Sequence, residues 1–210
     1  LVTLLFLRIL FFISNKNYFA DVTITQFIAA CFYAVRFDIS TILWLTIPYF
    51  SIQIISIIFP KLDKNKAIKK IKHIFLFLAF LIIVIPNIID IFYFRFTSRR
   101  MTFDIFSLLK TTSIEMPKLI IQFISDYWYG FLFLALMIFL FFLYIKKTDK
   151  PTSDNNIKLK PSKTILSVVI FLIFFIIGLR GGIQLKPITI VSAANYVKPS
   201  ASPIILNSTF

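Results

Sequence analysis

The chain has 210 residues, 59% of them hydrophobic, and a mean hydropathy of +0.89. That is more apolar surface than a water-soluble domain of this size hides. A formal charge of +14 invites a nucleic-acid reading, but the lysines stand in short runs between long apolar blocks and no base-stacking platform accompanies them, so that class is set aside. The single cysteine, Cys31, excludes an internal disulfide, and the single histidine, His73, excludes the usual His-rich metal motifs.

Long apolar blocks read as an all-α integral membrane fold, because lipid forces backbone polar groups into hydrogen bonds within each segment. About five transmembrane helices are expected. The first, Leu1–Ile13, is under way at the first residue. It has no basic n-region and no small-residue cleavage site, so it reads as a truncated span rather than a signal peptide. Arg8 lies inside it and receives no role. In residues 14–38, Ile24, Phe27, Ile28, Cys31, Phe32 and Val35 fall on one helical face. Thr23 with Gln26 makes a capping box at its start. This amphipathic helix is expected at the outer interface, running into a second span at Ile39–Pro60.

The third span is His73–Tyr93. Pro86 inside it predicts a kink, and Asn87, like Gln53 in the second span, is placed to bond across helices. The stretch "MTFDIFSLLKTTSIEMPKLIIQFISDYWYG" is semi-apolar, but Lys110, Glu115 and Lys118 interrupt it, so short interfacial helices fit it better than a further span. Tyr127, Trp128 and Tyr129 form an aromatic belt entering the fourth span, Trp128–Ile145. The fifth, Thr164–Gly178, has 15 residues. It falls short of a hydrocarbon core roughly 30 Å thick, so it must continue into Leu179 or let Lys163 snorkel. The chain thus divides into a five-span domain, 1–178, and an exit segment, 179–210, that reads as the start of a linker.

Basic residues orient the spans. Loop 61–72 holds six lysines in 12 residues, and loop 146–163 holds six in 18. The segments 14–38, 94–127 and 179–210 together hold ten Lys and Arg in 91 residues. The positive-inside rule then puts the two lysine loops in the cytoplasm and the C-terminus outside.

Four ionisable residues fall at span ends on that outer side: Arg36, Asp38, Asp90 and Arg180. Lipid makes such groups expensive, so they are expected to pair or to line a polar pocket. Arg36, Arg180 and one of Arg99 and Arg100 supply cations for the two carboxylates. Arginine suits the phosphate of an anionic lipid headgroup, because its planar fork donates two parallel hydrogen bonds. In "LRGGIQLKPI", Gly181 and Gly182 permit positive φ and close backbone approach beside Arg180, and they equally suit a plain helix C-cap. The expectation is that Arg36, Asp38, Asp90 and Arg180 meet, with the two glycines letting the chain pass over them.

Taken in order, "AVRFDISTILWL", "PNIIDIFYFRFTSRRMTFDIF", "DYWYG", "LRGGIQLKPI" and the closing "ILNSTF" resemble the membrane half of the lipoteichoic-acid-synthase-like sulfatases, of the alkaline phosphatase superfamily. The Phe-, Ile- and Lys-rich style is similar to the Bacteroidetes branch. The resemblance implies a bacterial cytoplasmic membrane protein whose anchor carries a large extracytoplasmic α/β domain. That domain would hold a divalent metal of the Mn or Mg type and a Thr or Ser nucleophile, and would transfer phosphoglycerol or cleave sulfate or phosphate esters. Its catalytic and metal-binding residues would lie beyond Phe210, so none is assigned here. The expected partners are membrane lipids, with an anionic headgroup at the polar cluster, and not nucleic acid. Two other classes remain: a transporter or channel subunit, which would favour inverted repeats and helices broken near the midplane, and a membrane scaffold without catalysis.

Overall fold

In a computed structural model the chain is described over residues 1–59, 62, 65–101, 124–148, 161–184 and 186–210. Among the described residues every regular element is helical. Most of the semi-apolar stretch 101–127, in which interfacial helices are expected, lies outside them, as do parts of both lysine loops.

The helices are α1 (Val2–Ser14), α2 (Ile24–Leu45), α3 (Ile47–Ile58), α4 (Lys66–Thr97), α5 (Trp128–Thr148), α6 (Pro161–Leu179) and a one-turn α7 (Ser202–Ile205). Short 3-10 turns at Lys16–Phe19, Ile190–Asn195 and Pro199–Ala201 fill the connections. Among the described residues three helices are long and apolar enough to cross a membrane: Ile24–Leu45, Lys66–Thr97 and Trp128–Lys147. They mark a multi-pass membrane protein. Val2–Ser14, Ile47–Ile58 and Thr164–Leu179 are shorter apolar helices.

α2 starts where the sequence places it. The Thr23 side chain accepts from the Gln26 N–H at 3.3 Å, and the Gln26 side chain accepts from the Thr23 N–H at 3.1 Å. Much of the apolar face read from the sequence is its outer one. Ile24, Ile28 and Phe32 point outward and are exposed, while Ala30, Ala34 and Phe37 are buried. Small residues let neighbouring backbones approach, so alanine marks the packed side and the large aliphatics mark the outer one.

The span expected at Ile39–Pro60 is two helices. The break sits at Thr46, with φ −96 and ψ 6, just before the turn that contains Pro48. Proline has no N–H to return to the preceding turn, so the hydrogen-bond ladder cannot run through it. α4 has 32 residues, about 48 Å at 1.5 Å per residue, and so outreaches a hydrocarbon core of about 30 Å. α6 has 19 residues, Pro161–Leu179, but its apolar part, Thr164–Leu179, remains a shorter helix.

α4 is the hub, packing against α1, α3 and α5, while α2 packs against α6 and α7. The buried apolar core is concentrated at one end of the bundle, where α1, α4 and α6 finish and α2 and α5 begin. Phe11, Phe19, Ala34, Phe37, Phe94, Ile204 and Ile205 meet there. Phe11 stands edge-on to Phe94, and Phe19 stacks on Phe94, with ring centroids 4.9 and 5.5 Å apart. Large side chains along α5 and α6 are instead exposed. The difference has a simple cause. Apolar side chains facing lipid gain nothing from leaving water, whereas those at the end of the bundle do.

Candidate functional site

The described part of the exit segment, 179–210, folds back over that packed end and is tied to it by three arginines. It begins with a helix C-cap. The Gly181 N–H donates to the Gly178 carbonyl and the Gly182 N–H to the Ile177 carbonyl, each at 3.0 Å. This is the Schellman pattern, with Gly181 left-handed at φ 73 and Gly182 at φ 141. Both glycines also leave room. A Cβ on Gly181 would strike Ile188, and one on Gly182 would lie 2.8 Å from Arg36 Nη2.

Arg36 closes this corner. Its Nε donates to the Gly181 carbonyl at 2.8 Å, Nη1 to the Tyr196 hydroxyl at 2.9 Å and Nη2 to Gln184 Oε1 at 3.1 Å. A cation on the carbonyl end of α6 also complements the helix dipole. One turn further along α2, Ser40 donates to the Leu179 carbonyl at 2.7 Å.

The second node is buried. Arg8 faces Asp38 as a fork, Nη1 to Oδ2 at 2.8 Å and Nη2 to Oδ1 at 2.7 Å. The same guanidinium donates to the Ile204 carbonyl at 2.8 Å and the Ile205 carbonyl at 3.2 Å. Asn207 completes the shell, donating to Asp38 Oδ1 at 2.9 Å and to Thr41 Oγ1 at 3.3 Å. Asp38 is 1% exposed, which a carboxylate tolerates only when paired and hydrogen-bonded like this.

The third node is Asp90, 0% exposed. Arg100 Nη1 donates to its Oδ2 at 2.9 Å, Ser208 Oγ to the same oxygen at 2.7 Å, and the Met101 N–H to Oδ1 at 2.8 Å. Arg100 Nε also donates to the Pro203 carbonyl at 2.9 Å, and the guanidinium lies 3.6 Å from the centre of the Phe11 ring. Burial pushes the Arg100 pKa below its ordinary value, and the Asp90 carboxylate pulls it back up. Asn87 joins through Oδ1, which accepts from the Ser208 N–H at 3.3 Å.

The four expected charges take different partners. Asp38 and Asp90 are neutralised by Arg8 and Arg100. Arg36 and Arg180 bind the exit segment instead. Arg180 is exposed and reaches the Gln184 carbonyl at 3.3 Å. Arg36, Gly181 and Gly182 are in direct contact. Sequence reasoning missed Asn207 and Ser208, consecutive residues of which each caps one carboxylate. It also left Arg8 without a partner. Its mid-span position was the available signal, since a charge there needs an opposite charge at the same depth.

Beside the layer runs an open groove of about 670 Å³, lined by Ser40, Thr41, Trp44, Leu179, Arg180 and Ile188 among others. Among the described residues no three His, Cys, Asp or Glu side chains gather to hold a metal ion. Comparison of the chain with protein-family models, curated proteins and solved structures finds no match.

Proposed function

We propose that this chain is the membrane-anchoring domain of an extracytoplasmic enzyme of the sulfatase and phosphoglycerol-transferase type, acting on phosphate or sulfate esters of the cell envelope. One observation carries the reading. Segments that gave the resemblance converge on one layer although they are far apart in sequence. "AVRFDISTILWL" brings Arg36 and Asp38, and "PNIIDIFYFRFTSRRMTFDIF" brings Asn87, Asp90 and Arg100. "LRGGIQLKPI" brings Gly181 and Gln184, and "ILNSTF" brings Asn207 and Ser208. The rings of "DYWYG" pack alongside, with Phe92 4.5 Å from Tyr127 and 5.3 Å from Tyr129, centroid to centroid.

In this reading the chain crosses a bacterial inner membrane five times, with α2 and α3 making one crossing. The lysine loops lie in the cytoplasm, and the arginine-tied layer lies outside. The layer is then a rigid seat for whatever chain continues from Phe210. Three arginines hold carbonyls of the exit segment, so that segment leaves the bundle at a fixed place and angle. Catalysis, with its divalent metal and its Thr or Ser nucleophile, belongs to that further domain. The carboxylates of this layer are already committed to arginines, so no step is assigned to them.

Reading the coding sequence beyond Phe210 tests the proposal. A sulfatase-type α/β domain in frame supports it. A stop codon directly after Phe210, or a domain of another class, overturns it.

A further inference from the structure

The described residues of loop 182–192 return to the bundle after α6 has ended. The loop is held at both ends. Arg36 binds the Gly181 carbonyl and Gln184 Oε1. The Ile188 N–H donates to the Arg180 carbonyl at 3.2 Å, and the buried Ile188 side chain fills the space that Gly181 leaves open. Held in this way, the loop presents three large aliphatics outward: Ile183 at 91%, Val191 at 79% and Ile190 at 56% exposure. Large aliphatics displayed together from a fixed loop mark a contact surface.

Position in the bundle says which surface they meet. α6 ends at Leu179, where the Ser40 hydroxyl of α2 donates to the Leu179 carbonyl at 2.7 Å. Trp44 lies one turn further along α2, about 6 Å deeper at 1.5 Å per residue. Trp44 and Leu45 line a groove together with Ile190 and Val191. The loop therefore comes back past the end of α6, to the level of Trp44 on a helix long and apolar enough to span. Trp44 is itself 61% exposed, and indole side chains settle at the membrane interface. The lipid-facing surface of α2 continues from Trp44 onto Ile190 and Val191.

The backbone suits that depth. Chain in contact with lipid must satisfy its own polar groups. Pro187 has no N–H to leave unpaired. The Thr189 N–H donates to Ser192 Oγ at 2.9 Å, and the Ser192 N–H donates back to the Thr189 carbonyl at 3.0 Å. From Leu179 to Phe210 the chain has no Asp or Glu, so no carboxylate is carried in with the aliphatics. Lys186 is exposed, and its long stem lets the ammonium stay among the headgroups. We propose that this loop is a shallow hook in the leaflet at the packed end of the bundle, with Ile183, Ile190 and Val191 among the upper acyl chains beside Trp44. Its partner is the apolar part of the bilayer, at the depth that interfacial segments reach. The inference rests on membrane insertion of the bundle alone and not on the enzyme class proposed above.

An environment-sensitive probe on the hook tests this. In the full chain carrying Cys31→Ser, Val191→Cys and Ser200→Cys are labelled separately with the fluorophore NBD. Both positions are exposed, so the label displaces no packed side chain, and Ser200 lies beyond the hook. Each product is set in phosphatidylcholine nanodiscs, which leave both faces open to solution. The expected result at position 191 is blue-shifted emission and quenching by phosphatidylcholine carrying a nitroxide high on its acyl chain. Quenching there by iodide should be several-fold weaker than at position 200. Ile183→Cys, labelled in the same way, should behave like position 191. Equal iodide quenching at positions 191 and 200 overturns the proposal, because the loop then shares the environment of its flank. Protection of position 191 from both iodide and the nitroxide lipid also overturns it, because a protein surface then covers the loop. No activity is read, so a failure here leaves the enzyme assignment untouched.

Discussion

Arg8→Ala should be the most damaging single change in the layer. The substitution removes two hydrogen bonds to Asp38 and two to the Ile204 and Ile205 carbonyls. Among the described donors only Asn207 then remains on a carboxylate that is 1% exposed. Breaking a buried ion pair by removing one partner costs about 3–5 kcal/mol, most of it the penalty of the stranded charge. For a chain of this length that corresponds to a drop of roughly 10 °C in the unfolding midpoint. Cys31 is the only cysteine and is half-buried, so a thiol-reactive fluorophore in dodecyl maltoside follows unfolding. The apolar double change Arg8→Met with Asp38→Leu should recover part of the loss, because it leaves no buried charge. It should not recover all, since each orphaned carbonyl still costs about 1–3 kcal/mol. A cost below about 1 kcal/mol for Arg8→Ala, the scale of a solvated pair, would refute the reasoning.

Other outcomes follow from the same geometry. Arg180→Ala should cost less than Arg8→Ala in the same thermal assay, because the side chain is exposed. Gly182→Ala should cost about 1–3 kcal/mol, since φ is 141 and the new Cβ meets Arg36 Nη2. Arg36→Ala in that background should relieve part of the loss. Ser208→Ala should cost about 1 kcal/mol, with Arg100 and the Met101 N–H still on Asp90. With Cys31 replaced by serine, single cysteines at Lys66 and Asn155 should resist labelling from outside sealed cells. Strong labelling at either would reverse the proposed orientation.

Some of this architecture was legible in the sequence because it rests on local rules. The Thr23–Gln26 box fixes the start of α2 within three residues of chain, and Gly181 and Gly182 write out a C-cap. The positions of Asp38 and Asp90 forecast buried polar nodes, since charge at such depth needs a partner. Partner identity was not legible. Arg8 and Asp38 are 30 residues apart, and Asn207 reaches Asp38 across 169. Nothing local chooses among the arginines at that end of the bundle. The packed face of α2 was not legible for a related reason. In lipid, Ile24, Ile28 and Phe32 need no partner, so hydrophobic periodicity marks membrane exposure as readily as packing, and Ala30 and Ala34 were the better signal. Pro48 could have announced the break at Thr46, because a missing N–H interrupts the ladder wherever it falls.

The enzyme assignment is tested most directly by turnover. The product of the complete coding sequence, purified in detergent, is assayed with manganese or magnesium against phosphatidylglycerol and against aryl phosphate and sulfate esters. Residues 1–210 alone are assayed in parallel. The account predicts metal-dependent cleavage or transfer by the complete product and none by residues 1–210. Metal-dependent turnover by residues 1–210, or its absence from the complete product on every phosphate and sulfate ester tried, would contradict it.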